Sequence, residues 1–344
     1  MISMRKLARL AGVSTATVSR ALHDDPRVRP ETRERIQALA DQHQYLRNML
    51  TQGVLTGRTR LIGLMLPSFD NTTYAAFLEG VLEEARAHGY HVNVAEGHDT
   101  IEQLREIIDR FIELRSEGII CRPGIHAPLP RDLLLKAASN GTTFVGVDLH
   151  DMHSPVDHVC CDEDLCAEVV LEYLVGLGHR TIAFVGVVGK NRDRGRAHSF
   201  RVAMRNHKIA TDLIVEAPSG MLPPTCALAI LSELFSLPTP PTAIIGWDDF
   251  VSCPLVQQAH ALGIAVPRRL SIIGVGNMTV AEVTSPPLTT LEVHADERGR
   301  AAVRLIVTGD HLQTGEEPSS YRRISFPPRL IKRGSCAPPH FAQC

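Results

Sequence analysis

The stretch A8-R-L-A11-G12-V13-S14-T-A-T-V18-S-R20 reads as two short helices that meet at a sharp turn. Leu7, Ala8 and Ala11 share one helical face, Gly12 supplies a turn that tolerates positive φ, and Ser14 is a good N-cap for the second helix. Val18, Ala21 and Leu22 place an apolar stripe on that second helix and leave Thr15, Ala16, Thr17, Ser19 and Arg20 on its other side. A helix pair joined by a turn of about three or four residues that includes glycine is the helix-turn-helix, whose second helix enters a DNA major groove. An ordinary helical hairpin would share the spacing. Charge separates the two readings: residues 1–60 hold eleven Lys/Arg against five acids, a net +6, whereas the whole chain carries −2 and the remainder therefore −8. A basic segment on an acidic partner domain points to nucleic acid at the basic end.

Working outward, Pro30 suits the first turn of a third helix, and Ile36, Leu39 and Ala40 give it a face to pack on the first two, with Tyr45 closing the small core. The next residues form a linker with a short helical possibility over N48-M-L-T-Q-G-V-L55, too short to be stable alone in water. From Leu61 the rhythm changes. Apolar runs such as L61-I-G-L-M-L66, T181-I-A-F-V-G186, T242-A-I-I-G246 and L270-S-I-I-G274 alternate with longer amphipathic stretches near 73–88, 100–115, 163–177, 193–207, 248–262 and 294–308. Strands apolar throughout and interleaved with helices imply parallel sheets covered on both faces, and a break near 158–161 divides them into two doubly wound lobes.

In open α/β sheets a ligand binds beyond the carboxyl ends of the strands. That rule selects Pro67 to Tyr74, Arg122, Asp148, Lys190 to Arg196, Trp247, Asp248 and Gly276-Asn277. Trp247, the single tryptophan, follows an apolar strand directly. A flat aromatic beside carboxylates and guanidiniums suits a cyclic polyol, offering a face for C–H groups and bidentate partners for hydroxyls. Core filler is the alternative for Trp247, and a loop salt bridge or helix cap for Asp148.

The segment S3-M-R-K-L-A-R-L-A-G-V-S-T-A-T-V-S-R-A-L, then V28-R-P-E-T-R-E-R-I and Y45-L-R-N48, resembles the headpiece of the lactose-repressor/galactose-repressor family. The likeness continues through L177-G-H-R-T-I-A-F-V-G, R196-A-H-S-F and V266-P-R-R-L-S-I-I-G to Pro286-Pro287-Leu288-Thr289-Thr290 and R333-G-S-C-A-P-P, in the family's order. It implies an α/β chain with an N-terminal helix-turn-helix headpiece (1–46), a hinge (47–60), and two periplasmic-binding-protein-like lobes over 61–344 that bind effector and dimerise. The lobes would comprise about 61–158 with 291–320, and 159–290 with 321–333, with chain crossings near 160, 290 and 320.

The expected function is a sequence-specific transcriptional regulator, a repressor, that binds a palindromic operator as a homodimer under control of a small carbohydrate-type effector. Thr15, Ala16 and Arg20 are the base-reading candidates: Arg20 can take guanine bidentately and Ala16 can touch a thymine methyl. Ser14, Thr17, Ser19 and Asn48 are the phosphate candidates. The resemblance puts a minor-groove wedge at Val54 and Leu55. A leucine is usual there and a proline before Asn48, where this chain has Val54 and Arg47, so the hinge departs from the family. A plain linker is the alternative for Val54. For the effector, the resemblance brings in Tyr74, Asp148, Arg196 and Asp248, and the strand-end rule adds Lys190, Arg192, Trp247 and Asn277. Gly276 replaces an acid that commonly bonds the ligand, while Lys190, Arg192, Arg196 and Arg122 keep cations at the same mouth. That balance favours a sugar acid or sugar phosphate over a neutral sugar.

Other classes fit less well. G12-V-S-T-A lacks the last glycine of a nucleophile elbow, F184-V-G-V-V-G189-K190-N191 lacks the first glycine and the Ser/Thr of a P-loop, and there is no H-E-x-x-H, so no enzyme and no cofactor are expected. Eight cysteines form no C-x-x-C, and H150-D-M-H153 with H158-V-C160 lacks paired ligand spacing, so no metal and reduced thiols are expected. There is no signal-peptide pattern and no apolar run near a membrane span, so a cytoplasmic location is expected. The tail after Lys332 has no leucine heptad, which favours a dimer over a coiled-coil tetramer.

Overall fold

A computed structural model describes residues 2–22, 24–43, 45, 58–69, 72–97, 100–123, 129–149, 155–187, 195–210, 213–218, 220–308 and 321–340. The chain forms two compact units, Met1–Thr59 and Arg60–Cys344. In the first, α1 (Met4–Ala11), α2 (Thr15–Leu22) and α3 (Pro30–Gln42) pack around Leu7, Val18, Ala21 and Ile36. Ser3 caps α1 by accepting from Lys6 N–H, and Gly12 ends it at φ +63, a left-handed value that glycine reaches at no steric cost. Arg35 donates to the Ala11 carbonyl at 2.9 Å and so ties α3 to the turn.

The second unit holds two six-stranded sheets. The first contains β1 (Leu61–Leu66), β2 (His91–Glu96), β3 (Gly118–Cys121), β4 (Thr143–Val147) and β5 (Asp157–Cys161), in the order β2-β1-β3-β4-β5. Its helices are α4 (Thr72–Ala87), α5 (Ile101–Glu113) and α6 (Arg131–Ser139). The chain then crosses into α7 (Glu163–Gly176), β6 (Ile182–Gly186), α8 (Arg196–Asn206), β7 (Ile214–Glu216), α9 (Pro224–Ser236), β8 (Ala243–Gly246), α10 (Asp249–Ala261), β9 (Ser271–Val275), α11 (Thr279–Val283) and β10 (Thr289–Glu292). Here the order is β7-β6-β8-β9-β10. After β10 the chain returns as α12 (Ala295–Val307) to cover the first sheet, where β11 (Arg323–Phe326) adds in parallel beside β5; β12 (Arg329–Ile331) then pairs antiparallel with β10.

The central strands β1, β3, β4, β6, β8 and β9 are buried on both faces, which is why they read as unbroken apolar runs: Leu64 and Ile120 face each other across β1 and β3, and Phe184 and Ile245 across β6 and β8. Two differences from the sequence reading emerge. Residues 323–326 belong to the first sheet rather than the second lobe, so the third crossing lies at Pro327-Pro328 and not near 320. The whole of 157–161, likewise, is a strand of the first sheet, because β5 pairs with both β4 and β11. No helix among the described residues is long and apolar enough to cross a membrane.

Candidate functional site

On the small unit, α2 buries Val18, Ala21 and Leu22 and leaves Thr15, Ala16 and Arg20 exposed, so the three base-reading candidates share one solvent face. Ser14 Oγ accepts from Thr17 N–H at 3.1 Å and shares a 2.9 Å hydrogen bond with the Thr17 hydroxyl. These two phosphate candidates therefore also build the N-cap of the helix. Ser19 is half-buried. Asn48, Val54 and Leu55 lie outside the described residues, as do Lys190 and Arg192.

On the large unit, strand order reverses between β1 and β3 and again between β6 and β8, and ligands favour such switch points. Both open onto one cavity of about 340 Å³. Arg122 is the first residue past β3, Asp148 the first past β4 and Trp247 the first past β8; Tyr74 comes from the first turn of α4 and Arg196 opens α8. Sequence reasoning brings Tyr74, Asp148, Arg196, Trp247 and Asp248 to this cavity. Asn277 is not in its wall. Its Nδ2 donates to Glu292 at 2.6 Å and its Oδ1 accepts from Arg333 at 2.7 Å, so it ties the C-terminal segment to β10 while its neighbour Gly276 lines the cavity.

Each wall is pre-organised by charge pairs. On the first-sheet side, Asp148 sits at φ +48, a left-handed conformation that Asp tolerates better than most residues. Its carboxylate accepts Arg298 Nη1 at 2.6 and 2.7 Å and Arg122 Nε at 3.1 Å. Burial alone would push that carboxyl up, but the two guanidiniums hold it well below the usual carboxylate range. Arg122 also lies 4.5 Å over the Tyr74 ring and donates to the Tyr74 hydroxyl at 2.6 Å.

On the second-sheet side, Arg196 makes a two-pronged pair with Glu163 at 2.8 and 2.8 Å, donates to the Trp247 carbonyl at 2.5 Å and lies 5.2 Å from the Trp247 ring centre. Burial would lower its affinity for its proton, yet the Glu163 carboxylate more than offsets this and raises it. Trp247 is half-buried and edge-on to Phe184 at 6.5 Å, so it is both core and cavity wall. Asp248 caps α10 by accepting from Val251 N–H at 3.0 Å.

Sequence reasoning missed Glu163 and Arg298. Glu163 follows the Asp162 N-cap in the acid run C161-D-E-D164, which reads as an ordinary helix start. Arg298 shares the helical stripe of Ala295, Ala302 and Leu305, and an arginine on an apolar stripe was the available signal. The expected cation excess does not extend over the described lining as a whole, where Arg122, Arg196, Arg298 and Arg323 meet the carboxylates of Asp148, Asp162, Glu163, Asp164 and Asp248; positive charge is instead concentrated on one side. Arg196 is matched by Glu163, and the described cations beyond it, Arg122, Arg298 and Arg323, stand on the first-sheet side.

Residues 3–48 match the model for bacterial regulatory proteins of the lacI family, and residues 171–336 match that for a periplasmic binding protein-like domain. The chain belongs to the lacI family. Like other lacI-family proteins it is a DNA-binding transcriptional regulator and not an enzyme. It is 27% identical to the HTH-type transcriptional regulator DegA of Bacillus subtilis over 96% of this chain and 97% of that one. It is 28% identical to the HTH-type transcriptional repressor CytR of Escherichia coli over 97% and 96% respectively. Its fold is that of the lac repressor dimer bound to operator and the anti-inducer ONPF, with a TM-score of 0.83 at 19% identity over 98% of this chain and 99% of that one. The CelR–cellobiose complex superposes with a TM-score of 0.67 at 21% identity, over 97% and 100%.

Proposed function

We propose that this lacI-family regulator is a cytoplasmic repressor that binds a palindromic operator as a homodimer and answers to a small carbohydrate-type effector held between its two sheets. The observation that carries the reading is the pairing, in one chain, of an exposed Thr15–Ala16–Arg20 face on a capped second helix with a cavity at two sheet switch points. Several relatives are named repressors, and the similar lac repressor is bound to operator as a dimer. In this reading residues 1–46 read DNA and 47–60 form the hinge, with Val54 and Leu55 facing the minor groove. Residues 61–344 bind effector and dimerise. Thr15, Ala16 and Arg20 contact base edges, and Ser14, Thr17, Ser19 and Asn48 position the protein on phosphates.

The effector would lie with its C–H face on Trp247 and its hydroxyls among Asp148, Arg196 and Asp248. A cavity of about 340 Å³ is at the small end of ligand pockets and suits a ligand of sugar size. Closing on it favours one arrangement of the two lobes, which couples ligand to operator affinity by linkage.

The test is selection of bound duplexes from a random pool, followed by affinity measurement with and without candidate sugars. An inverted repeat should emerge, and Arg20→Ala should weaken binding by roughly 1–3 kcal/mol while relaxing one base in each half-site. Recovery of unrelated sequences, or a mutant that binds as tightly and selectively as wild type, overturns the reading.

A further inference from the structure

The first-sheet wall of the cavity holds two guanidiniums against one carboxylate. Arg298 is only 4% exposed, its Nη1 is spent on both Asp148 oxygens, and its Nε is sealed from solvent with no acceptor among the described residues. Arg122 reaches the same carboxylate through Nε and the Tyr74 hydroxyl through Nη1. Asp148 is ionised and both arginines are permanently charged, so the cluster is left with one positive charge in excess. Arg323, on the same wall, adds to that sign. A buried charge without a counter-ion is costly, and a guanidinium fork fits the paired oxygens of a carboxylate or phosphate. The opposite wall differs, because there Arg196 already has both oxygens of Glu163.

We infer that Arg298 and Arg122 form an acid-group subsite, which takes the carboxylate or phosphate of a sugar acid or sugar phosphate and sets its orientation in the cleft. This rests on the carbohydrate reading above and deepens it. The acid oxygens supply the counter-charge that Asp148 cannot supply to two arginines, and the sugar ring then extends towards Trp247. Arg298 is thereby a specificity-determining residue, although it lies on a helix rather than at a strand end.

The experiment is a titration of the Trp247 fluorescence of the full chain with matched pairs: D-gluconate and D-glucose, D-galacturonate and D-galactose, D-ribose 5-phosphate and D-ribose. Inorganic phosphate is tested alongside by its effect on the melting temperature. Wild type should bind one acid roughly tenfold or more tighter than its neutral parent. Arg298→Gln and Arg122→Gln should each bring that ratio towards one, and Arg298→Lys should retain part of it. The ratio, measured within each folded variant, separates the subsite from a merely structural role, which would weaken acid and parent alike.

A neutral parent that binds as tightly as its acid overturns the subsite and leaves the carbohydrate reading standing. An acid preference unchanged in both glutamine variants also overturns the subsite. If no sugar binds but phosphate stabilises wild type and not Arg298→Gln, the subsite stands and the carbohydrate reading falls. Failure of sugars and phosphate together removes both.

Discussion

Gly299→Ala should destabilise the protein although alanine is the better helix former. Gly299 lies where α12 crosses α4, and a Cβ there would overlap the Phe77 carbonyl oxygen and come within 2.9 Å of Val81 N. Its counterpart Gly80 faces the Asp296 backbone equally closely. All these neighbours are backbone atoms inside helices, so a rotamer change cannot relieve the overlap and the helices must separate. Overpacking costs typically about 1–3 kcal/mol, occasionally more, and backbone on both sides places this site at the upper end. Helix propensity returns roughly 1 kcal/mol. The net loss is about 2 kcal/mol, or roughly 4–8 °C in the melting temperature of a lobe of this size. Gly176→Ala is the internal control. Gly176 ends α7, where an added Cβ would meet none of the described residues within 4 Å and φ is not positive, so there the propensity gain should appear alone. Calorimetric scans of the two variants side by side decide the matter. A Gly299→Ala protein as stable as wild type, or one that shifts upward with Gly176→Ala, would refute the close helix contact.

Three further outcomes follow from the geometry. The buried Asp249 carboxyl is pushed up to about 7 by burial, with the nearby Asp248 adding to the rise and Arg333 and the hydrogen bonds from Thr290 and Met278 N–H opposing it. The folded state therefore holds this proton more tightly than the unfolded one, so its contribution is complete below about pH 4 and is lost as pH rises towards 7; wild type should lose stability against Asp249→Asn across that window, and a pH-independent difference in melting temperature sinks the argument. His158 behaves in the opposite sense: burial brings its pKa down to about 4, and its Nε2 accepts from Leu149 N–H at 3.0 Å, so its contribution is present above about pH 6.5 and is lost as the solution is acidified. A His158→Gln variant should be less sensitive to acid between those values, as followed by circular dichroism. Ser14→Ala removes the cap of α2 and should cost about 1 kcal/mol of helix stability, seen as a lower melting temperature that largely recovers with Asp or Asn at that position; equal melting temperatures for all three would show that the cap is idle.

Local chemistry explains what the amino-acid order reveals by itself. The turn at Gly12, the cap at Ser14 and the stripe of Val18, Ala21 and Leu22 are all decided within a few residues, so the small unit was legible almost to its boundaries. The interior strands β1, β3, β4, β6, β8 and β9 were legible because both faces are buried and the code is simply apolar, whereas β5, which opens on Asp157 and His158, and β10, which opens on two threonines, lack that code. Of the edge strands, only β2 was legible, within Y90-H-V-N-V-A95. Arg323–Phe326 alternates exposed and half-buried residues and carries a charge, and Ile214–Glu216 is three residues long, so neither stands out from a loop. The strand-end rule found Arg122, Asp148 and Trp247 because the site follows from sheet topology. It misjudged Asn277 because Arg333, the partner that draws it away, lies in another part of the chain. It passed over Arg298 because that residue reaches the cavity from a helix that arrives only after the chain has returned to the first sheet.

That return has a consequence for control. Arg298 sits beside Gly299 on α12, and Tyr74 lies on α4, so the two helices that Gly80 and Gly299 press together each send a side chain into the Asp148 cluster. A ligand group that draws on Arg298 or Arg122 acts on a packed helix pair rather than on a loop, and close-packed elements shift between discrete arrangements instead of yielding smoothly. The chain enters α4 only one strand after the segment that joins it to the small unit. Reciprocity then requires that operator alter ligand affinity by the same factor by which ligand alters operator affinity. Arg298→Lys keeps the charge but loses the planar guanidinium, whose Nη1 reaches both Asp148 oxygens and whose other nitrogens are left for a ligand. It should therefore weaken the response of operator binding to ligand more than it weakens ligand binding itself. Equal losses in the two, measured by operator titration with and without ligand, would confine Arg298 to binding and place the coupling elsewhere.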